Sequence, residues 1–220
     1  IFDARGRLIV AEGANTGGGR RISITGQDGK CRTLVDRYKG KRFNSPNDVA
    51  VDRKGRIYFT DPRYVGDEPR DLDFEGVFRV DPNGEVDKLD TTAKKPNGLV
   101  VSPDGKTLYV SDNGPERRVL IAVDLEDDGD ADDPRVIHDF DTDAGIDGMT
   151  VTTDGRIVAA TPQGVVVFSP EGKRLALIPT PEPAANVEFG GDDRRILYIM
   201  AGASLYRIPT NMTGFHVSPK

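Results

Sequence analysis

Three polar residues recur in this chain at intervals of 50 residues: Asn47, Asn97 and Asp147. Eight residues after each comes a glycine, and an apolar run such as Ile57-Tyr58-Phe59 follows shortly after it. Two further copies of this pattern flank the three. A repeat of about 40 to 50 residues built from short apolar runs is typical of a β-propeller, in which each repeat forms one blade. The sequence therefore predicts an all-β protein.

The strands of a blade are clearest between residues 40 and 95. We label them A to D in chain order: Asp48–Val51, Arg56–Thr60, Gly76–Val80 and Val86–Leu89. Turn residues separate successive strands, which predicts a four-stranded antiparallel sheet. Similar C-to-D hairpins are predicted at residues 21–34 and 165–178, and strand C of the last repeat at residues 203–208.

Counting repeats gives one partial blade, three full blades and one blade that lacks strand D. We therefore expect residues 1–220 to form a single domain, a six-bladed β-propeller of four-stranded antiparallel blades with about one N-terminal blade missing from this chain. A ring of five blades is the alternative. An incomplete ring would leave strand edges that favour self-association.

Composition limits the binding partners and the environment that we expect for this protein. The net charge of −6 disfavours nucleic acid, since binding phosphates requires a basic face. No apolar run approaches the ~20 residues of a membrane span, so we expect a soluble protein. The single cysteine rules out an internal disulfide. Because the chain opens with Ile1 and not Met, a cytoplasmic and an exported location both stay open.

In a propeller, strand A lines the central channel, so the residues that open these strands face one another at one mouth. The predicted ring consists of Asn47, Asn97, Asp147 and Asn186. Strand B ends at the same mouth and brings Asp61, Asp112 and Tyr64 with it. Carboxylate and amide oxygens without His or Cys suit Ca²⁺, with Mg²⁺ or Mn²⁺ as substitutes. The alternative is that these are ordinary turn residues, and that Asp61 and Asp112 cap backbone groups.

Several phrases resemble the gluconolactonase branch of the senescence marker protein/gluconolactonase family. They are residues 41–48 (KRFNSPND), 57–64 (IYFTDPRY), 96–99 (PNGL), 102–105 (SPDG), 108–112 (LYVSD) and 186–191 (NVEFGG). The resemblance implies a six-bladed propeller with one catalytic divalent cation, Ca²⁺ or in its place Mg²⁺, Mn²⁺ or Zn²⁺. It also implies hydrolysis of sugar lactones or related esters.

The resemblance also assigns metal ligands. It places them at Asn97 and Asp147, with Asn47 in the metal shell or in contact with the substrate. A first-blade Glu that family members use as a ligand has no counterpart in this chain, and we expect it upstream of Ile1.

The expected mechanism is hydrolysis with Asp147 as general base while the cation polarises the lactone carbonyl. Asn47, Asp112, Tyr64 and Asn186 are the predicted substrate-binding residues. Two alternatives stay open: a phosphotriesterase with Asp147 as nucleophile, and a non-enzymatic propeller that binds a ligand or a protein. The acidic stretch Asp127–Asp133 lacks the final Glu of a calcium loop, so we interpret it as a solvated C-to-D loop with a weak cation site as the alternative.

Overall fold

In the part of the chain that the structure describes, the regular structure consists of twenty β-strands, arranged as five antiparallel sheets and one short hairpin. The computed structural model describes residues 1–14, 18–141 and 145–217, and these ranges contain no helix. Within each sheet the strand order follows the chain order. The predicted all-β propeller is confirmed, and we call its sheets blades I to V.

The first two blades match the expected strand pattern. Blade I contains β1 (Leu8–Glu12), β2 (Arg21–Thr25) and β3 (Cys31–Val35). A hairpin of β4 (Arg37–Tyr38) and β5 (Lys41–Arg42) leads into blade II, which contains β6 (Val49–Val51), β7 (Ile57–Asp61), β8 (Gly76–Val80) and β9 (Val86–Leu89). These four strands of blade II are the predicted strands A to D.

The remaining blades repeat the pattern. Blade III contains β10 (Pro96–Val101), β11 (Thr107–Asn113), β12 (Arg118–Leu125) and β13 (Ala131–Asp139). Blade IV contains β14 (Met149–Val151), β15 (Ile157–Thr161), β16 (Gly164–Phe168) and β17 (Arg174–Ile178). Blade V contains β18 (Ala184–Gly190), β19 (Ile196–Ala201) and β20 (Ser204–Pro209).

The turn from strand A to strand B explains the recurring glycine. In blade II, the carboxylate of Asp52 accepts hydrogen bonds from the backbone N–H groups of Lys54 and Arg56, at 2.8 and 2.9 Å. Gly55 between them has φ of +84°, a conformation that glycine adopts without a steric cost. Gly105 and Gly155 have the same conformation, so the phase of the repeat reflects a shared turn.

Four buried apolar clusters lie between consecutive blades. Between blades I and II, Ile9 and Ile22 pack in one cluster with Phe59 and Phe78. The rings of Phe59 and Phe78 are stacked, with centroids 5.3 Å apart. The other three clusters join blades II to III, III to IV and IV to V. The blades are therefore held in series by their facing sides.

The described residues form five blades, so the sixth blade of the prediction is not part of this structure. Blade I has three strands, and an isolated bridge between Phe2 and Leu8 takes the place of its inner strand. Blade V also has three strands and ends at β20. The central channel and a groove between these two blades form one continuous cavity of about 610 Å³. Phe2 (62% exposed) and Leu205 (68% exposed) line that groove.

Residues 127–130 of the acidic stretch lie in the loop between β12 and β13, as the loop interpretation predicts, whereas residues 131–133 belong to β13. The loop contacts blade II. The carbonyl oxygen of Asp127 accepts hydrogen bonds from Lys54 at 2.6 Å and Arg56 at 3.1 Å. The carboxylate of Asp130 accepts one from the buried Arg79 at 2.7 Å. The loop therefore fastens blade III to blade II at the end of the blades opposite the predicted mouth. None of the described segments forms a helix long and apolar enough to cross a membrane.

Candidate active site

The side chains of Asn47, Asn97 and Asp147 lie together at the mouth of the channel. Asn47 donates a hydrogen bond from Nδ2 to Oδ1 of Asn97 at 2.5 Å, and the side chain of Asn97 also hydrogen-bonds to Asp147. Asn97 is buried, whereas Asn47 and Asp147 are exposed in the mouth. Blades II, III and IV therefore bring three residues spaced 50 apart into one chain of side-chain contacts.

Backbone hydrogen bonds fix where two of these residues stand. The N–H of Asn47 donates to the carbonyl of Thr60 at 2.9 Å, and the N–H of Asp147 donates to the carbonyl of Ala160 at 3.0 Å. Each residue therefore precedes strand A at the level where strand B ends. This is the geometry that the repeat predicts for the opening residue of a blade.

Asp147 carries the carboxylate of this group, and its surroundings make it more basic. The surrounding protein raises the pKa of the carboxyl above its ordinary value, because it disfavours the charged form. The hydrogen bond from Asn97 opposes this effect without cancelling it. A carboxylate with a raised pKa and access to the mouth is suited to accept a proton.

Asn186 does not hold the position that the sequence predicts. Val187 pairs with Ile199 as Val49 pairs with Phe59, so Asn186 corresponds to Asp48 in the strand register, one residue beyond the position of Asn47. The residue of blade V that corresponds to Asn47 is Ala185. Neighbouring residues of a strand point to opposite faces, and a slip of one therefore changes what a side chain meets.

Asn186 faces Gly148 and not the mouth ring. Its Oδ1 accepts a hydrogen bond from the N–H of Val187 at 2.8 Å, and its amide lies directly over Gly148, where a side chain at that glycine would collide with it. Asn186 therefore belongs to a layer beneath Asp147.

Asp61 and Asp112 cap equivalent loops. Asp61 accepts hydrogen bonds from the N–H groups of Asn44 and Ser45 at 2.8 and 2.7 Å, three and two residues before Asn47. Asp112 does the same for Lys94 and Lys95, at 3.0 and 2.7 Å, before Asn97. The backbone-capping alternative therefore describes both carboxylates, which set the path of the chain into the site.

Burial dominates the electrostatics of Asp61. The side chain is fully buried, and this raises the pKa of the carboxyl to about 7, against the opposing effect of the two N–H donors. Arg20 and Arg63 oppose the shift more weakly.

Tyr64 lies at the rim between blades II and III. Its hydroxyl donates to the carbonyl of Lys95 at 3.1 Å, and the Lys95 ammonium lies 4.9 Å from the centroid of its ring. Burial raises the pKa of the hydroxyl, and the charges of Glu75, Asp112 and Asp147 add to the effect. Tyr64 therefore lies within electrostatic range of Asp147, with its ring partly exposed to the mouth.

Glycine is required after two of the mouth residues. A methyl group on Gly98 would collide with the backbone carbonyl oxygen of Asp147, and one on Gly148 would collide with Asn186. The N–H of Gly148 also donates to the carbonyl of Ala185 at 2.9 Å. Successive blades therefore touch backbone to backbone beneath the mouth, which explains the phrases Asn97-Gly98 and Asp147-Gly148.

The sequence analysis missed Asp48. The residue is only partly buried by its accessible surface, but that surface faces the interior of the channel. Burial raises its pKa to about 7, and the charge of Asp147 adds to the shift. The signal for it was present in the phrase Asn47-Asp48, where blades III and IV have Asn97-Gly98 and Asp147-Gly148.

The donor set at the mouth consists of two amides and one carboxylate. Among the described residues, no three His, Cys, Asp or Glu side chains group closely enough to hold a metal ion. The oxygen donors of Asn47, Asn97 and Asp147 nevertheless fit a hard cation in type, since Ca²⁺ accepts amide and carboxylate oxygens together with water. Asn97 is buried, and its Oδ1 accepts one hydrogen bond, from Asn47, which leaves a second lone pair; this is the observation that supports the fit.

A family model described as SMP-30/Gluconolactonase/LRE-like region matches residues 1–203. The chain belongs to the SMP-30/gluconolactonase family. A gluconolactonase of Zymomonas mobilis is 34% identical over 195 residues, which cover 82% of this chain and 54% of the relative. This chain therefore spans about half the length of that relative.

Solved structures agree with the family and the fold. A gluconolactonase from Xanthomonas campestris is 35% identical, with a TM-score of 0.84 over 94% of this chain and 70% of that one. A calcium-binding protein, regucalcin, from Agrobacterium tumefaciens has a TM-score of 0.79 over 99% and 77% of the two chains. At 18% identity, the second likeness concerns the fold alone.

Proposed function

We propose that this protein hydrolyses sugar lactones at the mouth formed by Asn47, Asn97 and Asp147. The observation that carries the proposal is the contiguous set of three oxygen-bearing side chains, contributed by three blades and joined by hydrogen bonds at the open end of the channel. The names of the gluconolactonase relatives from Zymomonas mobilis and Xanthomonas campestris support this substrate class.

Asn97 and Asp147 would hold a divalent cation, Ca²⁺ in the first instance, with Asn47 beside them. When bound, the cation supplies Lewis-acid polarisation of the lactone carbonyl. Asn47 donates to Oδ1 of Asn97, so the oxygen of that amide faces Asn47 and its NH₂ group faces Asp147. An amide oxygen has two lone pairs, and the second lone pair of this Oδ1 is the one that a cation would take.

Asp147 acts as the general base. It accepts a proton from a water molecule as the water oxygen bonds to the carbonyl carbon of the lactone, and its raised pKa favours this transfer. The ring C–O bond then breaks, and the departing ring oxygen takes up the proton. The product is the open-chain hydroxy acid, and Asp147 is left as it began.

The rim supplies the substrate contacts. Tyr64 presents its ring at the mouth, and Asn47 has an exposed amide suited to sugar hydroxyls. Asp112 contributes by fixing the Lys94-Lys95 backbone ahead of Asn97. Asn186 contributes indirectly, because its amide packs on Gly148 in the layer beneath Asp147.

We also propose that the groove between blades V and I is the place of one further blade. Its two walls carry exposed apolar side chains, among them Phe2 and Leu205, whereas the facing sides of consecutive blades are buried. A blade in the groove would cover these side chains as the four described clusters are covered.

The test of activity is the hydrolysis of glucono-1,5-lactone, followed by titration of the acid released. We expect turnover in Ca²⁺ that EDTA abolishes and that Ca²⁺, Mg²⁺, Mn²⁺ or Zn²⁺ restores. If no sugar lactone is opened and a phosphotriester is hydrolysed instead, the lactonase proposal fails and the phosphotriesterase alternative takes its place. Failure of both substrates would favour a binding propeller.

A further inference from the structure

Asp48 joins two neighbouring inner strands with one carboxylate. Its Oδ2 accepts a hydrogen bond from the N–H of Leu99 in blade III at 2.9 Å, and its Oδ1 accepts one from the N–H of Val49 in its own blade at 2.8 Å. Its own N–H donates to the hydroxyl of Thr60 at 3.1 Å. The side chain is therefore held at both ends and crosses from β6 to β10.

The two amides of the mouth stand at the beginning of the two strands that Asp48 connects, Asn47 just before β6 and Asn97 within β10. Asn47 is the residue before Asp48, and Asn97 stands two residues before Leu99. The Asn47–Asn97 hydrogen bond therefore joins the same two blades, one to two residues away along each segment. A change in the spacing of β6 and β10 would therefore move the two amides apart or together.

Sequence explains why a carboxylate is used in blade II. In the strand register, Asp48 corresponds to Gly98, Gly148 and Asn186. The two glycines leave no side chain in blades III and IV, and the space is taken by groups of their neighbours. At this position of the register, the carboxylate of Asp48 accepts a hydrogen bond from the backbone of the next blade, at Leu99.

We propose that Asp48 is a positioning residue that sets the separation of Asn47 and Asn97 by bonding the backbone of β10. The role rests on the proposed cation site, because it is this site whose geometry Asp48 would control. An outer partner of metal ligands typically contributes about 10-fold to 100-fold to metal affinity. Asp48 is assigned no direct contact with the cation or the substrate.

The test is Asp48→Asn, which keeps the size of the side chain but leaves one oxygen for two N–H donors. The full chain is titrated with Ca²⁺ alone by calorimetry, and the Leu99 amide is followed by hydrogen exchange in the cation-free protein. We expect Ca²⁺ affinity to fall about 10-fold to 100-fold and Leu99 exchange to accelerate. Asp48→Ser, which removes the reach to β10, should give at least as large an effect.

A matched control is Asp104→Asn, because Asp104 also caps a backbone N–H, that of Lys106 at 3.1 Å, but lies in the A-to-B turn at the other end of blade III. It should leave Ca²⁺ affinity and Leu99 exchange unchanged. Unaltered Leu99 exchange in Asp48→Asn would overturn the proposal whether or not the wild type binds Ca²⁺. If Leu99 exchange accelerates while a measurable Ca²⁺ affinity does not change, the link to the site is also overturned. A wild type that binds no Ca²⁺ contradicts the proposed cation site and with it the role of Asp48 there.

Discussion

The amide of Asn47 donates to the amide oxygen of Asn97 across the boundary between blades II and III, at 2.5 Å. Through this contact the two asparagines form one site, since each amide fixes the orientation of the other. An amide whose oxygen is held in place loses little rotational freedom when it binds a ligand. Asn97, buried and central, should therefore matter more to a bound cation than the exposed Asn47.

Asn97→Ala is expected to weaken Ca²⁺ binding strongly, because it removes a ligand oxygen and leaves Asp147 without its hydrogen-bond partner. Asn47→Ala should weaken it less. Calorimetric titration measures both, with Asn83→Ala in an exposed turn of blade II as the control. A larger loss for Asn47→Ala than for Asn97→Ala would reverse the assignment of the central ligand.

Asp147→Asn preserves the size of the side chain and removes both its charge and its basic site. Loss of a general base typically costs about 10²–10⁴-fold in rate. We expect a fall in kcat of this order for lactone hydrolysis at saturating Ca²⁺, and weaker Ca²⁺ binding besides. Asn186→Ala should affect Ca²⁺ affinity little. Wild-type turnover in Asp147→Asn would show that another group is the base.

Gly98→Ala is expected to displace Asp147, because the added methyl group collides with the Asp147 carbonyl oxygen. The nearest atoms all belong to the backbone of Asp147 and Gly148, so no flexible side chain can give way. Lactone turnover should fall sharply, and thermal unfolding should occur at a lower temperature. The control is Gly76→Ala in β8, where the new methyl group meets Lys88 and Phe74 side chains at 3.4 Å or more. Equal effects of the two variants would contradict a specific contact at Gly98.

Asp61 should make the stability of the protein depend on pH. Its pKa is about 7 in the folded state and 3.8 ordinarily, so between these values the folded state binds a proton that the unfolded state does not. Stability due to this group therefore falls as the pH rises from about 4 to about 7. Urea unfolding of wild type and Asp61→Asn should give a difference in unfolding free energy that declines over this range.

The control for that titration is Asp104→Asn, because the hydrogen bond from Ser102 holds the pKa of Asp104 below its ordinary value, against the effect of burial. The contribution of Asp104 should thus be lost only as the pH falls below about 4. A wild-type minus Asp61→Asn difference that stays flat from pH 4 to 7 would show that burial does not raise the Asp61 pKa.

The groove between blades V and I should make residues 1–220, expressed alone, associate with themselves. Exposed apolar strands at an open edge favour pairing between copies. Light scattering after size exclusion should show a mass that rises with concentration, and Leu205→Lys should suppress the rise. Leu175→Lys, on the outer strand β17 and 50% exposed, is the control. A monomer at every concentration would contradict an open, adhesive groove.

Much of the fold could be predicted from the sequence because every blade repeats one turn. The Asp52–Gly55 turn fixes the A-to-B hairpin, and the predicted strands of blade II coincide with β6 to β9 within a residue or two. The hairpin of β4 and β5 was not predicted, since its strands are two residues long and carry no alternating pattern.

The site was predicted less completely, because the sequence does not show the strand register of blade V. From Asp147 to Asn186 the spacing is 39 residues and not 50, so phase alone could not align blade V. Only the pairing of Val187 with Ile199 shows that Asn186 belongs with Asp48. Asp48 was missed because the sequence shows a carboxylate where blades III and IV have glycine but does not show which backbone group it bonds.

The loop between β12 and β13 reaches across to blade II through the carbonyl of Asp127 and the carboxylate of Asp130. Loops at a protein surface generally accept insertions and deletions. The length of this loop is constrained, because Gly129, at φ of +91°, packs against the guanidinium of Arg56 in blade II. Its length should therefore be held constant as relatives diverge, whereas the turn at Asn83 and Gly84, whose hydrogen bonds stay within the turn, is free to grow.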